Sequence, residues 1–253
     1  MFEASGLKSA MKIKRLSFIL GMILLLSTGA AKGQAALLVL IFGERAATEN
    51  FHFSLKLGVN YSIIQGYDEG NNGWNLNFGL VNNIKLSEKL TLTPEFIALS
   101  PRSVRNVPVL TTGDLHLDNL LVQVESTDRK LHYIDIPVLL KYKLTDRFSI
   151  SVGPQLSILT GAVDTYNSTP QEEVVLKTEL NIKSALNPLD AGAVLDLHYT
   201  VVQPVGGKGV NLYIRYFKGF IGLLKDDNGP RYTTSLIQFG ATFPFVQKPD
   251  TEN

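Results

Sequence analysis

The chain has 253 residues, 45% hydrophobic and 19% charged, with a formal net charge of +1 and no cysteine. The near-neutral balance removes the electrostatic basis for nucleic-acid binding, and the lack of cysteine excludes a disulfide scaffold, a thiolate metal site and a cysteine nucleophile. A mean hydropathy of +0.10 is too polar for a bundle of membrane helices and too apolar for a disordered chain.

From Met11 the sequence reads MKIKRLSFILGMILLLSTGAAKGQ. Lys12, Lys14 and Arg15 make a basic start, Leu16 to Leu26 an apolar run of 11 residues, and Ala31-Lys32-Gly33 a small-x-small exit. That is the layout of a secretory signal, and the run falls short of the roughly 20 residues a membrane-spanning helix needs. Residues 1–33 are therefore expected to be a signal peptide. Their removal deletes Lys8, Lys12, Lys14, Arg15 and Lys32 against Glu3, taking the net charge from +1 to −3. Residues 34–50 are expected to form an N-terminal periplasmic segment. Within it Ala35 to Phe42, AALLVLIF, is a second apolar run, which signals either a later cleavage point or a short element docked on the folded domain.

From Phe51 the pattern has a period of two. Phe51, Phe53, Leu55, Leu57, Val59 and Tyr61 alternate with His52, Ser54, Lys56, Gly58 and Asn60. Trp74, Leu76, Phe78 and Leu80 alternate with Asn75, Asn77 and Gly79, and Ile134, Ile136, Val138, Leu140 and Tyr142 alternate with Tyr133, Asp135, Pro137, Leu139, Lys141 and Lys143. This is strand patterning. Eight strands are predicted at 51–61, 74–86, 90–99, 132–144, 147–160, 189–200, 209–219 and 233–245, each long enough to cross a bilayer when tilted. The connections between them hold 12, 3, 32, 2, 28, 8 and 13 residues. Long and short links alternate, as in outer-membrane barrels with tight periplasmic turns and longer external loops. Residues 100–131 and 161–188 are predicted as the largest external loops.

Lys56, Lys85, Glu95, Asp135, Lys141, Asp196 and Arg215 share the polar face, and charge turned to lipid costs several kcal/mol near the midplane. They must point inward. Eight strands leave room only for side chains, so a packed polar lumen is expected and a wide channel is not. Pro94, Pro137, Pro154 and Pro244 run against the assignment, since each removes a ladder donor. The expected fold is an all-β, eight-stranded antiparallel up-and-down transmembrane β-barrel over residues 51–245, followed by a tail at 246–253.

Gln238-Phe239-Gly240-Ala241-Thr242-Phe243-Pro244-Phe245 fits a polar-x-Gly-x-x-apolar-x-apolar pattern. It resembles the signal by which the barrel-assembly machinery takes up outer-membrane barrels through their last strand. Tyr133-Ile134-Asp135-Ile136-Pro137-Val138-Leu139-Leu140-Lys141-Tyr142, followed by Ser151-Val152-Gly153-Pro154-Gln155-Leu156, resembles the PorT-like outer-membrane β-barrel family of Bacteroidetes. The resemblance implies an eight-stranded barrel in outer-membrane lipid with prolines at these places. The founding member belongs to a protein secretion apparatus, so an envelope or secretion partner is a further expectation.

Chemical motifs are sparse. His52, His116, His132 and His198 make no metal-ligand spacing. His198 lies two residues from Asp196 on one strand face, where the pair could orient an imidazole for general-base work on an acyl chain. It equally suits an interior charge network. Val205-Gly206-Gly207-Lys208-Gly209 lacks the phosphate-loop pattern and reads as a turn, Asp226-Asp227-Asn228-Gly229 as an external loop, and Asp68 to Gly73 as a loop tip. No catalytic residue, cofactor or metal is expected. The main expectation is a non-enzymatic structural or interaction barrel. The alternatives are a lipid-modifying enzyme using His198 and Asp196, or a lipocalin-like binding barrel with its apolar face inward.

Overall fold

The computed structural model describes residues 51–66, 71–107, 126–168, 176–205, 208–225 and 231–244. The proposed signal peptide (1–33), the segment 34–50 with its Ala35–Phe42 run, the loop at Asp226–Gly229 and the tail 246–253 lie outside the described residues. Ten strands follow in order: β1 Phe51–Gln65, β2 Asn71–Lys85, β3 Leu90–Leu99, β4 Arg102–Val107, β5 Ser126–Lys143, β6 Phe148–Ser168, β7 Leu176–Asn181, β8 Leu189–Val205, β9 Lys208–Gly219 and β10 Thr233–Pro244.

Ten segments make eight staves. β3 and β4 pair with successive stretches of β2 and β5, and are one stave interrupted at Ser100-Pro101. β8 and β7 both pair with β6, β8 along Phe148–Ile158 and β7 along Val163–Ser168. β10 pairs with β1 from Ser54↔Pro244 to Gln65↔Thr233, which closes an antiparallel eight-stranded barrel. Closure pairs the backbone donors and acceptors that hydrocarbon cannot satisfy.

All eight predicted strands are present, and the departures cluster at the long-loop end. The supposed loops 100–131 and 161–188 contain β4 and β7 together with six-residue and eight-residue extensions of β5 and β6. The first link shrinks to residues 66–70 because β1 runs on to Gln65 and β2 starts at Asn71, so Asn71, Asn72 and Gly73 are strand and not loop tip. A bulge between Val104 and Val107 bends β4. Asn106 sits there with φ 54°, a left-handed conformation that asparagine tolerates better than most residues.

Burial fixes which face is which. Lys56, Asp135, Asp196 and Arg215 are fully buried and Glu95 nearly so, while Trp74 (62% exposed), Leu76 (65%), Val152, Leu195, Leu212 and Phe239 stand on the outside. An apolar belt of this extent is a lipid-facing surface. It also excludes the lipocalin-like arrangement, in which the apolar set would face inward.

The awkward prolines converge. Pro94 of β3 and Pro154 of β6 both lie in the row of Val138 on β5, with Pro154 paired to Ala193 on its other side, and Pro137 is the neighbour of Val138. The missing donors therefore fall in one small region. There the Thr93 hydroxyl donates to the Leu139 carbonyl at 3.1 Å, giving that buried acceptor a side-chain partner. Pro244 sits at the rim opposite Ser54.

Candidate functional site in the barrel lumen

The inward positions of each strand stack into layers. At the long-loop end Ile64, Val104, Val107, Leu131, Leu159, Ala162, Ile182, Leu186 and Leu223 form an apolar plug. Beneath it Arg102, fully buried, donates from Nη1 to Asp190 at 3.0 Å and from Nη2 to Asp135 at 3.0 Å and Ser157 at 2.8 Å. Its guanidinium lies 3.9 Å from the centre of the Tyr133 ring, a cation–π contact.

An apolar belt of Leu139, Val194, Phe217 and Leu236 comes next. Below it lies the second charged layer. Arg215 makes a bidentate pair with Glu95 at 2.7 and 2.8 Å and donates from Nε to Asp196 at 2.9 Å. Lys56 donates to Glu95 Oε2 at 3.0 Å, the oxygen that Arg215 Nη1 also reaches. The four charges come from β1, β3, β8 and β9 and sum to zero, so each buried ion has a partner. Tyr213 lies flat against the inner wall under the Lys56 ammonium, 4.1 Å from the ring centre. Only glycine leaves space for that ring, since a Cβ at Gly58 would fall 2.3 Å from the Tyr213 hydroxyl and one at Gly240 would meet the ring at 2.8 Å.

A hydrogen-bond chain ties the two charged layers together. The Tyr213 hydroxyl donates to Asn77, Asn77 to Asn60, Asn60 to Ser100, and Ser100 to Asp135. The middle of the lumen is thereby occupied by a connected network of polar side chains.

At the short-turn end a cup of about 230 Å³ remains, lined by residues that include Lys85, Lys141, Lys143, Ser149, His198 and Thr200. At its rim Lys143 and Asp146 pair at 2.8 Å. The bond from the Lys143 ammonium and its charge hold the Asp146 carboxyl below the usual carboxylate range.

The predicted pair does meet. His198 Nε2 lies 3.3 Å from Asp196 Oδ2, yet neither ring nitrogen makes a hydrogen bond; the contact has ion-pair proximity without hydrogen-bond alignment. Ser149 is its direct cross-strand neighbour. Both His198 and Asp196 face the lumen, with the strand wall between them and the lipid belt, which keeps them from membrane acyl chains. Among the described residues no group of three His, Asp or Glu side chains is placed to hold a metal. Val205 pairs with Lys208, and Gly206 and Gly207 of the expected turn lie outside the described residues.

Sequence reasoning missed Arg102, Arg129 and Asp164. All three fell within supposed loops, yet Arg102 is the centre of the upper layer and Arg129 grips Asp164 through two bonds of 2.7 and 2.8 Å. The available signal was Leu131 between Lys130 and His132, and Ala162 between Gly161 and Val163, which continue the alternation past the predicted strand ends.

A family model described as an outer membrane protein beta-barrel domain matches residues 43–225. Among curated proteins, none matches the chain. Solved structures with similar folds include Neisserial surface protein A (11% identity, 78% of this chain and 100% of that one, TM-score 0.43). The attachment invasion locus protein Ail of Yersinia pestis gives 11% identity, 78% and 100% coverage and TM-score 0.42. OprG from Pseudomonas aeruginosa gives 12%, 80%, 99% and 0.36.

Proposed function

The chain belongs to the outer membrane protein beta-barrel domain family and is an outer-membrane protein, and from that premise we propose a non-enzymatic interaction role in the cell envelope. The observation that carries the reading is the water-facing wall standing above the lipid belt. On β5 the outward side chains change from Ile134, Ile136, Val138, Leu140 and Tyr142 to Asp128, Lys130 and His132, and on β6 from Val152, Leu156 and Ile158 to Thr160, Val163 and Thr165. This part of β5 and β6, flanked by β4 and β7, is a rigid platform outside the hydrocarbon. β7 pairs only with β6 among the described strands, leaving an edge of the kind that accepts a strand from another chain. With the lumen filled, conduction is not its task.

In this reading residues 1–33 direct export and are removed, and the short turns face the periplasm. The last strand, β10, is where the assembly machinery engages. The narrower assignment, a PorT-like barrel attached to protein secretion, is our proposal from the Tyr133–Tyr142 strand and the Gly153-Pro154 pair.

A photo-reactive side chain at Lys130 or Glu179, on the platform, should yield protein adducts in intact envelopes, whereas one at Leu76 in the belt should yield lipid. Absence of protein adducts at both platform positions would defeat the interaction role. Steady conductance in a planar bilayer would defeat the sealed lumen on which it rests.

A further inference from the structure

The cup at the short-turn end contains two groups that the charge layers leave incompletely matched. Lys141, on β5, points into it and has no carboxylate within ion-pair distance among the described residues. The layer above it, Lys56, Glu95, Arg215 and Asp196, is already neutral, so the Lys141 ammonium is an uncompensated charge. His198, on β8, lines the same cup, is 6% exposed, holds Nε2 3.3 Å from Asp196 Oδ2 and leaves Nδ1 without a partner. A buried imidazole with an idle Nδ1 beside an unmatched ammonium is costly unless something else meets them.

The surroundings indicate what that is. Ser149 lies directly across the ladder from His198, Thr200 follows on the same face, and Lys85 and Lys143 stand at the mouth. Against these the described lining holds two carboxylates, with Asp196 behind His198 already paired to Arg215. Asp146 is engaged by Lys143, and Glu88 lies exposed in the β2–β3 turn. Donors thus converge from β5, β6 and β8 on a space of about 230 Å³, several times the roughly 30 Å³ share of one water. A tetrahedral anion offers acceptor oxygens in several directions at once, and fits such a donor set better than chloride.

We propose that the short-turn mouth of the barrel is a binding site for a phosphate group, held between Lys141 and His198. The group arrives either as the free anion or as the headgroup of an anionic phospholipid from the adjacent leaflet.

The test uses the folded barrel in dodecyl maltoside, which contains no phosphate. Inorganic phosphate is titrated in one arm, and phosphatidylglycerol is doped into the micelles in the other. The imidazole NMR signals of His198 are followed in both, with calorimetry in the phosphate arm. A shift of those signals on adding phosphate assigns the free anion, and a shift only with phosphatidylglycerol assigns the headgroup. Lys141→Gln and His198→Gln should each weaken binding at least about tenfold, as loss of a charge-assisted hydrogen bond does. Lys218→Gln, on the outside near Gln65 and Thr233, should leave it unchanged. Heat-dependent gel mobility checks that each variant is folded. No response to either ligand, or equal binding in all folded variants, overturns the proposal.

Discussion

The two halves of β5 and β6 obey opposite rules. Toward the short turns, Ile136, Val138 and Leu140 face out while Asp135 and Lys141 face in; toward the long loops, Lys130 and Asp128 face out while Leu131 is buried with Leu159 and Ala162. The backbone is continuous, and what changes is the medium outside. Against lipid, apolar side chains gain nothing by turning inward, and the interior is left to matched polar groups. Against water, the ordinary hydrophobic effect applies and apolar side chains turn inward, where they pack around the buried Arg129–Asp164 pair. The switch between Ile134 and His132 on β5, and between Ile158 and Thr160 on β6, therefore marks the edge of the hydrocarbon.

The sharpest way to break this contrast is to strike the polar half from inside. Arg215→Met strands Glu95 and Asp196 without their shared cation, and should cost about 3–5 kcal/mol. Urea unfolding from vesicles, followed by the emission of Trp74, the single tryptophan, reads it. Next, Leu131→Ala opens the apolar plug of the water-side half and should cost about 2–5 kcal/mol, appearing as faster proteolysis of the platform while the belt stays protected. Charge placed on the outer face then maps the boundary. Val138→Arg, mid-belt, should cost about 2–4 kcal/mol and Thr165→Arg, above it, about 0–1 kcal/mol; equal costs would remove the assigned boundary. At the bottom of the scale stands the exposed Lys143–Asp146 pair. The Asp146 carboxyl is held low in the folded state, so the contribution of this pair is present above the normal carboxylate range and lost as pH falls through the lowered value. Such exposed pairs rarely register, and Lys143→Gln should leave the unfolding midpoint unmoved at neutral pH.

The same contrast explains what could be read in the sequence. Alternation with apolar residues outward identified all eight staves, and the cost of charge in lipid fixed the direction of Lys56, Glu95, Asp135, Asp196 and Arg215. The strands were ended where that pattern stopped, at His132 and Thr160, although the backbone continued with the pattern inverted. β4 and β7 are six residues each, too short to establish a period, and each lies beyond a break in its stave. Arg102 was hidden for this reason, since its partners Asp135 and Asp190 lie 33 and 88 residues away. Local pattern shows which face a residue takes, but not which ion from a distant strand will meet it there. The pairing of His198 with Asp196 was legible because both sit on one strand. The idle Nδ1 of His198 and the unmatched Lys141 became visible only when the cup was closed around them.

The seam between β10 and β1 has a consequence for manufacture. Ser54 meets Pro244 and Gln65 meets Thr233, so the first stave finds one of its two partners only after nearly the whole barrel has been synthesised. A ribosome completes that order of events slowly, and contacts so distant along the chain form late. Until then the nascent protein carries an open edge and an apolar face with no lipid to receive it. The first stave stays half-paired until β10 arrives, and a chain cut short before Thr233 has no second edge to offer β1.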